Sequence, residues 1–429
     1  MTNSIEDITR QADLVMLVGS NPEEAHPVIG MQLRAAVERG CRLIVVDPRD
    51  IGLAAHADIH LKLRPGTNVT FAHGVVNYLI QHGLYDEDFV RERTEGFEIL
   101  AATVRDYTPE LVEDIGHRSA RSRAAAKMYA AADAAAIMYC LGVTEHSTGT
   151  DGHGAVEHRD DLRQPAAGAG VNPLRGQNNV QGACDMGAGP DDLPGYQKVA
   201  NPEVVQRFER AWGAELPRWK GTKATECFPA MVEGRIKGLF LFGEDPVRTD
   251  PDTHHVIEAL ESLEFMVVDD LFMTETAKYA DVVLPGCSFA EKEGTFTNTE
   301  RRVQRVRKAV DPVGDARPDA DIFIDVMNRM GCPQPHLTAA EIMDEIAKVT
   351  PSYGGISHAR LDGDDVAGRG LQWPCPNAEH PGTPILHMGA FSLGLGAFST
   401  PDYQPSAELP DEEYPLVMMT GRILYQYNA

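Results

Sequence analysis

The sequence predicts an α/β protein made of two related doubly wound parallel-sheet (Rossmann-like) domains, followed by the start of an incomplete β domain. Three observations carry that prediction. A strand–turn–helix–strand pattern is written twice, and each copy closes its first strand on a Gly-x-polar-Pro turn and its second on Asp. A polar segment, Val171–Gly187, lies between the copies.

The first copy begins at Ala12–Pro27 (ADLVMLVGSNPEEAHP), where Leu14–Val18 is too short an apolar run for a helix and stops at Gly19-Ser20-Asn21-Pro22. A helix is expected from about Pro27 to Glu38, turning Val28, Ile29, Met31, Leu33 and Val37 towards a sheet, with Gly40 just past its end. Leu43–Val46 then reads as a buried parallel strand. Asp47 sits at its end, where dinucleotide folds place a carboxylate that reads a sugar hydroxyl. Arg64-Pro65-Gly66-Thr67-Asn68 opens a helix through Ile80, with Thr67 or Asn68 as its cap. Ser119–Asp133 is an alanine-rich helix, Ala135–Cys140 a strand, and His146 a structural or solvated residue.

The second copy runs from Ile236–Pro251 (IKGLFLFGEDPVRTDP) through Phe265–Asp270 to Ala280–Gly286. Parallel strands joined by crossover helices put such turns at the carboxyl ends of the sheet, where open α/β folds bind ligands. Between the copies, Val171–Gly187 holds Arg175 among Asn172, Gln177, Asn178, Asn179 and Gln181. Those groups read as a polar floor for an anion. Trp212–Pro229 reads as a surface excursion, the basic run Glu300–Lys308 as a solvated face, and Asp319–Met330 and Thr338–Val349 as amphipathic helices. Ser352–Tyr414 reads as loop-rich linker, and a strand is expected at Pro415–Met419. The domain reading is 1–175 and 176–350 for the two dinucleotide-binding units, with 287–318 as an excursion. The linker is 351–413, and 414–429 begins a truncated domain.

Composition narrows the function. A formal charge of −25, from 39 basic and 64 acidic residues, opposes binding to a phosphate backbone, so no nucleic-acid partner is expected. No run approaches the ~18 apolar residues of a spanning helix, and Met1–Arg10 is too polar for a secretory signal, so a cytoplasmic location is expected. Seven cysteines without a C-x-x-C pair read as buried free thiols rather than a zinc or cluster site.

VNPLRGQNNVQGACDMG, together with GSNP, DPR, PGTN, GEDP, DDLFMTETAKYADVVLP, EKEGTFTNTERRVQ and TGR at Thr420–Arg422, resembles the alpha subunit of molybdenum or tungsten formate dehydrogenases. These belong to the bis(molybdopterin guanine dinucleotide) oxidoreductases. The resemblance implies that each α/β domain holds one guanine dinucleotide arm of a cofactor carrying Mo or W. One arm would touch Gly19, Asn21, Asp47, Arg49, Gly66, Asn68, Gly142 and Glu145. The other would meet Gly243, Glu244, Asp245, Asp269, Asp270, Lys292 and Asp321. Arg175 matches the arginine that binds the substrate carboxylate, which makes formate the expected substrate and electron-transfer subunits, or the remaining portions of the subunit, the expected partners.

The sequence departs from that family in three ways. The family's 4Fe–4S cluster cysteines and its Cys-His or selenocysteine-His metal ligand match nothing here, so no metal-binding residue is assigned and an internal fragment, inactive alone, is expected. The family's C-terminal domain has no counterpart beyond about Pro415. Gly152–Gly168 is strongly charged where the family has an apolar helix, and a shifted reading frame there would encode a family-like peptide. A nitrate reductase-like enzyme, the large subunit of an NADH–quinone oxidoreductase, and a non-catalytic remnant remain as alternative readings.

Overall fold

A computed structural model describes residues 1–115, 119–157, 166–364, 366, 368–392 and 394–425. Two compact units emerge: Met1–Gln177 together with the chain from Pro384, and Asn178–Thr383.

The first unit is built on a parallel five-stranded sheet. Its strands are β1 (Leu14–Val18), β2 (Arg42–Val46), β3 (Ile59–Leu61), β4 (Ala135–Tyr139) and β5 (Gly170–Pro173), in the order β3-β2-β1-β4-β5. Continuous apolar runs suit a sheet buried on both faces. On one side Leu14, Met16, Val18, Ile44 and Ile137 pack with Phe71, Val75 and Val76 of the helix Asn68–Gln81 and with Ala125 and Tyr129 of the helix Ser119–Ala130. On the other, Val15, Leu17, Leu43, Val45 and Met138 pack with Ile8 of the helix Ile5–Gln11 and with Ile29 and Leu33 of the helix Pro27–Glu38.

That last helix has the expected ends but not the expected face. Ile29, Leu33 and Ala36 form its buried stripe, whereas Val28 and Met31 are exposed because a 100° step per residue carries them off it. Thr67 is the cap of the Asn68–Gln81 helix by position only; its hydroxyl bonds back to the Arg64 carbonyl. The charged stretch starting near Gly152 contributes to a helix, Gly149–Glu157, with Ala155 buried. Residues 158–165 of that stretch, and residues 426–429 of the expected truncated domain, lie outside the described residues.

The second unit repeats the first at the level of strand register. Its parallel sheet has the order β8-β7-β6, from β6 (Gly238–Phe242), β7 (Phe265–Asp270) and β8 (Val282–Pro285). Leu239 pairs with Met266 as Val15 pairs with Leu43, and Val267 pairs with Val282 as Ile44 pairs with Ile59. An antiparallel hairpin, β9 (Gly294–Thr297) and β10 (Arg302–Val306), is extended by β11 (Leu371–Gln372).

Four expectations are corrected here. The basic run is not a solvated face, because Arg301 is 1% exposed and gives its guanidinium to the carbonyls of Trp373 and Thr383. Trp212–Pro229 does lie at the surface as expected, and its last residues begin the helix Ala224–Val232. The loop-rich composition after Ser352 hides packed core, with Tyr353, Ile356, Leu361, Leu371 and Cys375 buried around Val303. Pro415–Met419 forms no strand, and Leu416 and Met418 are exposed, as a strand without a pairing partner would be. No cysteine forms a disulfide, as expected, but only Cys287 and Cys375 are buried.

Candidate functional site

At the carboxyl edge of the first sheet, β1 and β4 bring two glycines into backbone contact. Gly19, at φ +52°, accepts a hydrogen bond at its carbonyl from Gly142 N at 3.1 Å. A Cβ on Gly19 would lie 2.6 Å from the Gly142 carbonyl carbon, and one on Gly142 would lie 2.7 Å from Gly19 Cα. No side chain fits between them. Asn68 joins the pair, donating from Nδ2 to the Gly142 carbonyl at 3.1 Å. Glu145 follows on the exposed turn after β4.

Next to the glycines, Ser20 Oγ and Asn21 Oδ1 are buried without a hydrogen-bond partner. Buried polar atoms cost about 1–3 kcal/mol when unsatisfied, so this pair suits a ligand that supplies the missing partners. Asp47, 5% exposed, accepts from Arg49 N at 2.8 Å; burial raises its pKa, opposed by that bond and the Arg49 charge. Gly66 has φ +83°, and Ser406 stands against the side where a side chain would project.

Arg175 stands two residues past β5 on the same edge, half-buried. Its carbonyl is held at 2.6 Å by His26 Nε2. Of the polar floor, Asn172 is fully buried and structural: it accepts from Asn3 N at 3.0 Å and donates to the Gly170 carbonyl at 2.8 Å. Gln177 is exposed.

In the second unit Asn178 of the polar floor is exposed, while Asn179 and Gln181 also serve the fold. Asn179 accepts from Thr297 N at 2.9 Å, and Gln181 donates to Asp185 at 2.8 Å. Asp185 is 1% exposed and collects further donors from Tyr196 (2.8 Å), Tyr353 (2.5 Å) and the Trp373 indole (2.7 Å).

The carboxyl edge of the second sheet has its own turn. Gly243, at φ +61°, donates from its amide to the Asp269 carbonyl at 2.9 Å. Asp245 is engaged within the turn, its Oδ1 accepting from Thr276 N at 3.0 Å and Oγ1 at 2.6 Å. Glu244 is raised by burial and by Asp250, Asp245 and Asp270 around it.

Asp269 is the most unusual group here. It is 1% exposed, and neither carboxylate oxygen has a hydrogen-bond partner. Burial, then the charge of Asp319, pushes its pKa up to about 6, against the pull of Lys292. A Cβ on Gly286 would lie 2.7 Å from Asp269 Oδ1 and 2.9 Å from Asp319 Oδ1, so the glycine keeps open a cradle with two carboxylates around it. Lys292 pairs with Asp319. Asp270 caps the next turn by accepting from Leu271 N at 2.6 Å, and Asp321 lies 3.5 Å from His336.

The structure thus joins Gly19, Gly142 and Asn68, Asp47 and Arg49, and Asp269 and Lys292 through Asp319. Sequence reasoning missed His26, Thr276, Asp319 and Gly286. His26 and Thr276 lie within quoted motifs, and Asp319 looks like an ordinary acidic first-turn residue of the helix Asp319–Arg329. Thr276 and Gly286 are buried, and His26 and Asp319 half-buried against distant partners, which spacing does not reveal. Among the described residues no group of three or more His, Cys, Asp or Glu could hold a metal ion. None of their helices is long and apolar enough to cross a membrane.

Comparison with known proteins adds the family. The molybdopterin oxidoreductase family model matches residues 1–329. The chain is 48% identical to the F420-dependent formate dehydrogenase 2 subunit alpha of Methanococcus maripaludis, over all of this chain and 63% of that protein. Formate dehydrogenase H of Escherichia coli is 39% identical, over all of this chain and 60% of that protein. The chain therefore spans about three fifths of the length of these curated relatives. Acetylene hydratase from Pelobacter acetylenicus shares the fold, with a TM-score of 0.63 and 23% identity over 84% of this chain and 52% of that one.

Proposed function

This chain belongs to the molybdopterin oxidoreductases, and from that premise we propose that it is the dinucleotide-holding portion of a formate dehydrogenase catalytic subunit. The observation that carries the reading is the duplicated sheet edge, each copy ending in a positive-φ glycine turn and a buried strand-end Asp. Such an edge suits a ligand with two nucleotide tails. Fold alone does not choose the chemistry. Formate follows from Arg175 within the PLRGQNNVQG segment and from what the similar proteins are named for.

The residues fit the guanine dinucleotide arms. In the first unit the Gly19–Gly142 contact brings backbone to the ligand side, while Ser20 and Asn21 offer unpartnered polar atoms. In the second, Asp269 offers two unpartnered carboxylate oxygens to N–H or O–H donors. The bound cofactor, carrying Mo or W, would take up the C–H hydrogen together with the two electrons of formate oxidation. Arg175 would hold the formate carboxylate through its planar fork and orient the C–H bond, and carbon dioxide would leave as a neutral product released from that charge pair. No residue described here is assigned as the metal's protein ligand. A cytoplasmic location suits seven cysteines that form no disulfide.

The test is formate-dependent dye reduction by the assembled subunit carrying Arg175→Lys. Loss of the bidentate fork should raise the KM for formate at least tenfold, corresponding to about 1.4 kcal/mol. An unchanged formate KM would overturn the assignment.

A further inference from the structure

The helix Asn68–Gln81 meets the Gly19–Gly142 pair through its first residue, Asn68. Its later turns, beginning about 10 Å further along the axis, wall a separate cavity together with the helices Pro109–Ile115 and Ser119–Ala130. The cavity measures about 120 Å³, and Gly74, Asn77, Tyr78, Tyr107, Val112 and Ser122 line it. Gly74 sets how closely the first two helices approach, since a Cβ there would lie 2.7 Å from Val112 Cγ2.

The aromatic walls are held from several directions. Tyr107 accepts at its carbonyl from Asn77 Nδ2 at 3.0 Å and at its hydroxyl from Tyr403 N at 2.7 Å, and its ring stands edge-on to His73 at 4.7 Å. Tyr78 stacks on His82 at 3.9 Å, and His82 Nδ1 donates to the Tyr78 carbonyl at 2.8 Å. A preformed, mostly apolar slot with few polar groups is what a small-molecule site requires. Asn77 supplies the polar group. It is 8% exposed, its Nδ2 is spent on Tyr107, and its Oδ1 is buried with no hydrogen-bond partner. An unpaired buried acceptor costs free energy that an O–H or N–H donor on a ligand returns.

We propose that this cavity is a binding site for a small neutral aromatic molecule bearing a single hydroxyl or amine donor, of the phenol or aniline class. Its ring fills the space beside Tyr78, Tyr107 and Val112, and its donor pairs with Asn77 Oδ1. Size selects one ring, because an apolar cavity of about 150 Å³ holds benzene. Charge selects a neutral ligand. Arg123 at the cavity wall disfavours a cation, yet its charge already acts on the Glu110 carboxylate, and a chain of formal charge −25 repels anions. Burying a carboxylate among apolar side chains also costs far more than burying a ring. The inference is independent of formate and of the pterin.

The test is fluorine NMR of three probes titrated with the full chain: para-fluorophenol, fluorobenzene and para-fluorobenzoate. The phenol should show saturable line broadening with a Kd at least tenfold below those of the other two. Gln81→Trp, at an exposed position on the cavity wall, should block entry and abolish that binding while leaving the circular dichroism of the chain unchanged. The comparison of probes on the wild type stands even if that variant misfolds. A phenol that binds no tighter than fluorobenzene or the benzoate, full phenol affinity in folded Gln81→Trp, or no saturable binding, as expected if water alone occupies the cavity, would each overturn the proposal.

Discussion

The imidazole of His26 contacts the backbone carbonyl of Arg175 through Nε2 at 2.6 Å, across 149 residues of sequence. A carbonyl only accepts, so Nε2 carries the proton and the ring is fixed as that tautomer when neutral. The turn after β1 thereby anchors the backbone of the arginine assigned to the substrate.

His26→Ala removes that anchor without touching the guanidinium. In the assembled subunit the KM for formate should rise about fivefold, the equivalent of a ~1 kcal/mol hydrogen bond, with a smaller change in kcat. A kcat loss at unchanged KM would point to a different role.

His26 is also a pH probe. Burial is the largest influence on its pKa and lowers it, opposed by the Arg175 carbonyl and assisted by the Arg422 charge. Below the unfolded value near 6.5, the unfolded chain binds a proton that the folded chain refuses. The stabilising contribution of neutral His26 is therefore complete above about pH 6.5 and is lost as the pH falls towards the depressed folded value. Urea denaturation of wild type and His26→Gln from pH 7.5 to 5 should show a steeper acid loss in the wild type.

Asp269 has the opposite sign. Its folded pKa of about 6 exceeds that of an unfolded aspartate, so the folded chain holds more protons between about pH 4 and 6, and this contribution declines as the pH rises through that window. Asp269→Asn should stabilise the chain by roughly 1–3 kcal/mol at pH 7 and little at pH 4. The same variant should bind guanine nucleotide more weakly, since a group kept costly for the fold is kept for a ligand. Equal stability at both pH values would show that the carboxylate is better solvated than its 1% exposure implies.

The Gly19–Gly142 contact predicts a steric asymmetry. Gly142→Ala places a Cβ 2.7 Å from Gly19 Cα and should cost about 2–4 kcal/mol by thermal or urea denaturation. Gly389→Ala, where a Cβ meets nothing within 4 Å, should stay within about 0.5 kcal/mol.

The buried hub at Asp185 supplies a stability test for the second unit. Tyr353→Phe deletes one of its four side-chain donors and should cost about 1–3 kcal/mol. Trp373, another of those donors, reports the change by fluorescence.

What the sequence disclosed was the part governed by short-range pattern. Leu14–Val18, Phe265–Asp270 and the two Gly-x-polar-Pro turns were legible because apolar runs and turn residues encode them locally. Partnerships made at long range were not. Arg301 looked solvated among other basic residues, yet its partners Trp373 and Thr383 lie 72 and 82 residues away. Val28 and Met31 were assigned to the core by type, when angular position on the helix decides burial. Asp319 and Gly286 matter only because folding sets them beside Asp269.

The central claim is that the duplicated sheet edges hold two guanine dinucleotide arms. Acid release of GMP from the assembled subunit, purified from a host that makes the cofactor, tests it most directly. Two GMP per chain are predicted, falling towards one when Asp269 and Asp319 are both replaced by Ala; a wild-type subunit that releases none, or a double variant that still releases two, would contradict the account.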